Sequence, residues 1–247
     1  MRGWIVWIVL LLPVIGTTPS LSVAQQFGAY VARSVTDGVA LTGHVTYAGE
    51  APSPKELVEG HDLEVCDQEP KFEESLIVAA GTGGLQNVVA WLSDITEGKA
   101  WEEGDPTELN QIGCRFDPHV LIVPAGETFH IVNTDGILHN IHTKSSENRP
   151  INKAQPRLLK RLNITFRRPD IIRVRCDVHN WMEAWISVAA HPYYAVTDEN
   201  GAFELEDVPP GTYTLNLWHE TLGMQTRQVV VATGSGAKVD VEYAPAR

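Results

Sequence analysis

The sequence predicts an all-β protein built from two β-sandwiches. Eleven segments of five to nine residues alternate or run apolar in the manner of strands, and the turn-forming runs GTGG, PAGE, DENG, PPG and GSG fall between them. Helix signals are weak, with LEVCDQ worth one turn at most. Many short strands at this spacing are the mark of sandwiches.

In chain order the expected strands are 39–47 (VALTGHVTY), 75–79 (SLIVA), 87–92 (NVVAWL), 119–124 (HVLIVP), 128–133 (TFHIVN), 171–176 (IIRVRC) and 185–190 (WISVAA), then 202–208 (AFELEDV), 212–218 (TYTLNLW), 227–232 (RQVVVA) and 238–243 (KVDVEY). The polar, basic stretch 144–168 reads as a long connection, which in a compact domain is usually functional or mobile.

Residues 1–24 read as a secretory signal peptide. Arg2 precedes the apolar run WIVWIVLLLPVIG, and Ser22-Val23-Ala24 supplies a small-x-small cleavage site. The run is short for a membrane span and is broken by Pro13, so the mature chain is expected to have no span and to be periplasmic or secreted. An uncleaved N-terminal anchor is the alternative.

Losing Arg2 takes the net charge from −12 to −13, which argues against a nucleic-acid partner. The charge is uneven. Residues 50–108 hold fifteen Asp or Glu against three Lys, whereas 144–175 hold ten Lys or Arg against Glu147 and Asp170. That asymmetry suggests a polar molecule with a basic face; solvated strands and loops with no partner are the simpler reading.

Three cysteines in an exported chain leave one over. Cys66 (EVCDQEP) and Cys114 (IGCRFDP) sit in similar loop-like contexts and are paired as a disulfide, while Cys176 stands among residues able to ligate a metal and is left as a thiolate. An idle exposed thiol would be oxidised in such a compartment.

The run TDENGAFELEDVPPGTYTLNLWHE, with T-D-x-x-G-x-F followed by P-P-G-x-Y-x-L, resembles the carboxypeptidase regulatory-like, transthyretin-type sandwich. That family normally opens with a strand like GVALTGHVTYAGEAP. The resemblance implies one sandwich split in sequence, 36–93 plus 192–244, with Phe203 and Tyr213 at strand positions that should face its core. Tandem separate domains remain the other arrangement.

Between them, residues 116–140 (FDPHVLIVPAGETFHIVNTDGILHN) and the loop CDVHNWM resemble a cupredoxin in order and spacing, and the short C-x-x-H-x-x-M loop is most like that of amicyanin. The resemblance implies a Greek-key sandwich over 95–190, inserted in or adjacent to the transthyretin-like one. It implies one copper ion held by His139, Cys176 and His179, with Met182 as weak axial ligand and Asn140 tying the two ligand loops together. The residue types suit that chemistry on their own terms: sulfur favours Cu(I) and imidazole accepts both oxidation states. Val174, Arg175 and Asp177-Val178 depart from the family pattern. His142, three residues after His139, and Glu183, next to Met182, could add ligands or open a coordination position. His119 and His130 read as core or surface residues, and His191 and His219 as structural.

The functional expectation is a mononuclear copper protein carrying single electrons, its partner an acidic-surfaced redox protein or a copper donor or acceptor docking at the basic face 144–175. A copper carrier or sensor, or a scaffold module with a structural metal, is the alternative. No Gly-rich phosphate loop, G-x-S-x-G elbow or C-x-x-C-H is present, so an enzyme is not expected, although a mononuclear copper oxidase stays open.

Overall fold

A computed structural model of the chain describes residues 30–57, 60–104 and 107–245. The expected signal peptide lies outside the described residues, among which no helix is long and apolar enough to cross a membrane. The architecture is all-β; the one helix among the described residues is the single turn Leu63–Cys66.

Strands from both ends of the chain build the first sandwich. Val39–Tyr47 is the centre of a three-stranded sheet, antiparallel to Ala202–Val208 and parallel to Ala237–Tyr243. Facing it, Tyr194–Val196, Val89–Leu92, Gly211–His219 and Gly223–Val231 form an antiparallel sheet in that order. Leu41, Val45, Leu92, Leu205, Leu215 and Val241 meet between the sheets.

The T-D-x-x-G motif has a physical basis here. Asp198 Oδ1 accepts the N–H groups of Asn200 and Ala202, each at 2.8 Å, and Gly201 completes the turn at φ +79°, a conformation that favours glycine. Thr197 is buried; its hydroxyl accepts Val88 N–H at 2.9 Å and donates to Leu85 O at 2.7 Å. One side chain thereby joins segments more than a hundred residues apart.

The second sandwich comes from the residues in between. Asn152–Gln155, His139–Lys144, Asp170–Arg175, Glu183–Ala189 and Val120–Pro124 form one sheet, its last pair parallel. Arg161–Thr165, Thr128–Asn133, Glu108–Ile112 and Arg115–Asp117 form the other. Ala184, Ile186 and Val188 point into its core, whereas Trp185 points outward, as a period of two requires. Trp185 meets Trp218 of the first sandwich edge-on at 4.9 Å, and Val89, Trp91 and Val120 are buried in the same seam.

Two local differences from the sequence reading have clear causes. SLIVA forms no strand: the GTGG run that follows turns the chain back at Gly81 (φ +82°) and Gly83 (φ +72°), so that Ala79 N–H donates to Gly84 O and Val78 bridges only Leu85. The connection 144–168 contains two strands, both at sheet edges, where charged residues can stay in water.

Residues 48–57 and 60–79 leave the first sandwich as a strap. Its two limbs pair through Leu57 N–H to Lys71 O and Glu73 N–H to Lys55 O, and the helical turn Leu63–Cys66 lies at its tip. Cys66 forms a disulfide with Cys114, in the two-residue turn between Glu108–Ile112 and Arg115–Asp117. Gly113 (φ +57°) and Cys114 (φ +54°) give that turn the left-handed backbone a tight hairpin needs.

Candidate metal centre

The donor side chains converge from two places in the second sandwich. His139 begins one strand, and Cys176, His179 and Met182 occupy the turn between Asp170–Arg175 and Glu183–Ala189. That turn is closed by Cys176 N–H to Met182 O at 3.3 Å and Met182 N–H to His179 O at 2.9 Å. The seven-residue spacing therefore sets Cys176 and Met182 across its mouth and His179 at its tip.

Cys176 Sγ lies 3.9 Å from His139 Nδ1 and 3.7 Å from His179 Nδ1, and the two Nδ1 atoms are 3.0 Å apart. His139 and His179 are 0% exposed, and Cys176 and Met182 1%. Each imidazole turns its other nitrogen to a carboxylate: His139 Nε2 to Asp135 at 2.8 Å, His179 Nε2 to Asp62 at 3.0 Å. A carboxylate only accepts, so Nε2 carries the proton in both rings and each Nδ1 presents a lone pair.

Two imidazole lone pairs and one sulfur thus face a common point. Roughly 2.0 Å bonds to nitrogen and 2.3 Å bonds to sulfur, at trigonal angles, call for sulfur–nitrogen separations of about 3.7 Å. The sulfur–nitrogen separations fit such an ion, while the two Nδ1 atoms, 3.0 Å apart, would have to spread by about half an ångström to reach trigonal angles. The His/His/Cys set, with Met182 buried on the same turn, is the donor chemistry of a copper electron-transfer site. The cluster resembles a type-1 copper site.

Electrostatics point the same way. Burial pushes the Cys176 thiol up, and the backbone N–H groups of His179 and Asn140, both directed at Sγ, favour the thiolate against it. Asp135 is itself held below the usual carboxylate range despite its burial, by His139 and the N–H groups of Cys114 and Gly113.

No curated protein matches the chain. Residues 171–239 match the family described as polysaccharide lyase family 4, domain II. Among solved structures, the chain is similar over 37% of its length to the copper-containing nitrite reductase of Thermus scotoductus SA-01, at 26% identity and a TM-score of 0.32, and spans 24% of that protein. It is similar over 36% of its length to amicyanin from Paracoccus versutus (17% identity, TM-score 0.30, 85% of that chain). A purple cupredoxin from Nitrosopumilus maritimus is similar over 34% (19% identity, TM-score 0.28, 99% of that chain).

Asn140 ties the ligand loops: its backbone N–H reaches Cys176 Sγ at 3.3 Å, and its Oδ1 accepts Asp177 N–H at 3.3 Å. His142 and Glu183 stand outside the donor cluster. Within strand His139–Lys144, positions 139 and 142 fall on opposite faces, so His142 is exposed and bonds Asp177 at 2.9 Å. Glu183 begins the next strand facing outward and pairs with Arg173, whose Nε donates to it at 2.7 Å.

Asp135 and Asp62 were missed as partners of the ligands. Asp135 had a signal, since it lies four residues before His139 in N-T-D-G. Asp62 had none: it reaches His179 across 117 residues of sequence. His119 was also underrated. Its side chain is 7% exposed and paired with Glu220 of the first sandwich, which also accepts Trp185 Nε1–H at 2.8 Å. A cleft of about 480 Å³ beside this junction reaches the wall formed by Trp181 and Met182.

Proposed function

We propose that the chain is an exported mononuclear copper protein that carries single electrons to or from a redox partner. One observation carries the reading: a thiolate and two proton-free imidazole nitrogens converge in a site closed to water. His139, Cys176 and His179 would hold copper, with Met182, buried and bonded through its backbone to Cys176 and His179, as the axial donor. Bound there, copper would supply a one-electron Cu(I)/Cu(II) couple. The protein's part is to fix the donors beforehand. Asp135 orients His139, Asn140 registers the two loops, and the turn 176–182 is closed by its own backbone bonds. Ligands held this way move little between oxidation states, which keeps reorganisation small.

Export is supported by the sequence of residues 1–24 and by the Cys66–Cys114 disulfide. Arg149, Lys153, Arg167 and Arg168 line one groove, which supports docking of an acidic partner with salt-dependent rates. A copper carrier would need ready exchange; the burial of every ligand favours retention and therefore electron transfer. No catalytic role is assigned.

Electron paramagnetic resonance and visible spectra of the copper-loaded protein test the proposal. A thiolate-to-Cu(II) band is expected, absent in Cys176→Ser. A protein that binds Cu(II) with no such band refutes it.

A further inference from the structure

We propose that Asp62, carried by the strap of the other sandwich, is a positioning residue of the metal centre: it fixes the His179 ring and, through it, biases bound copper toward the oxidised state. The inference rests on the copper reading above and adds to it a residue far from any ligand in sequence.

His179 sits at the tip of a turn and is fully buried. With Nδ1 committed to the donor cluster, its Nε2–H must find a partner or pay the desolvation of a buried donor. Asp62 supplies that partner at 3.0 Å. His139 solves the same problem with Asp135, so both rings carry a carboxylate on the nitrogen remote from the cluster.

The two carboxylates are held by one covalent frame. Asp62 is the left-handed residue (φ +52°) that starts the turn Leu63–Cys66, and its carbonyl accepts the N–H groups of Val65 and Cys66 at 2.8 Å. Cys66 is bonded to Cys114, whose own N–H donates to Asp135 at 2.9 Å. Both disulfide sulfurs lie within 4.8 Å of a His179 ring nitrogen. The strap tip is thus registered against the turn that also holds the partner of the other ligand.

A carboxylate on the remote N–H raises the basicity of the coordinating nitrogen and fixes the ring's orientation. Its negative charge favours the higher-charged ion, so the one-electron step Cu(II) + e⁻ → Cu(I) becomes harder, with no bond made or broken at Asp62. The Asp62 side chain is 43% exposed, so water screens part of this bias, while the imidazole that transmits it is fully buried.

Spectroelectrochemistry of copper-loaded wild type, Asp62→Asn and Glu64→Gln tests this. Asp62→Asn keeps an acceptor oxygen and the volume while removing the charge. It should retain the thiolate band and shift the Cu(I):Cu(II) preference at least about tenfold toward Cu(I), or about 60 mV in midpoint potential for one electron. Glu64→Gln, two residues along the strap, should leave the potential unchanged. A purely structural role would loosen copper without moving the potential.

An unchanged potential in Asp62→Asn, with its band intact, overturns the proposal. A wild type lacking the band overturns the copper reading instead. In that case the ¹⁵N resonance of His179 Nε2–H still decides the positioning claim: slowly exchanging in wild type and exposed in Asp62→Ala if it is right, identical in both if it is wrong.

Discussion

Acid should destabilise the first sandwich through two histidines held neutral in its interior. His191 is 2% exposed, with Tyr30, Tyr193 and Tyr194 around its ring, and its Nδ1 accepts Tyr193 N–H while its Nε2 has no hydrogen-bond partner among the described residues. Burial brings its pKa down to about 4, and does the same to His219. Both folded values lie below the ordinary value of 6.5, so the unfolded chain binds more protons between pH 6.5 and 4, and stability falls with pH across that window. Integrated from pH 7 to 5, each histidine removes about 2 kcal/mol, or about 4 kcal/mol for the pair.

His191→Phe isolates half of this. Phenylalanine suits the tyrosine surroundings and cannot titrate. Losing the bond to Tyr193 N–H shifts its stability by the same amount at every pH. Urea unfolding of both proteins at pH 7 and 5 gives the difference of differences. His119, whose pKa is raised by Glu220 against its burial, works in the opposite direction but cancels in the subtraction. The variant should lose about 2 kcal/mol less than wild type between the two pH values. Equal losses would refute the assignment of a buried neutral imidazole to this pocket.

Three further outcomes are expected. Removing the disulfide with Cys66→Ala and Cys114→Ala frees a 48-residue loop and should cost about 4 kcal/mol in chemical denaturation, the loop-entropy value. Thr197→Val leaves Val88 N–H and Leu85 O unpaired in the core and should cost about 2–4 kcal/mol by the same assay. His142→Ala should leave the visible and paramagnetic copper spectra unchanged, because that ring faces water and Asp177; an altered spectrum would bring His142 into the donor set.

What could be read in advance depended on how local the cause was. Strands such as AFELEDV appear because their burial alternates within a few residues, and the candidate donors because His139-Asn140 opens one strand and C-x-x-H-x-x-M fills one turn. The edge strand Arg161–Thr165 was passed over for its charge, although Leu162 and Ile164 are buried at the right period between exposed neighbours. His142 was kept open only while residues 139–144 were allowed to be a loop; as a strand they decide the question. Asp62 belongs to a different class, since nothing near G-H-D in sequence speaks of an imidazole brought to it by a disulfide and a docked domain.

The strap also bears on how the molecule can be taken apart. Residues 95–190 contain every candidate donor of the metal centre and two complete sheets, and would pass for a portable module. Cut at those borders, the piece would leave Cys114 single and turn the outer nitrogen of His179 toward water. The covering of the candidate centre is made by the strap of the other sandwich, so its surroundings are finished only once both halves have folded and docked. A swap of the middle domain between relatives would have to carry residues 48–79 with it.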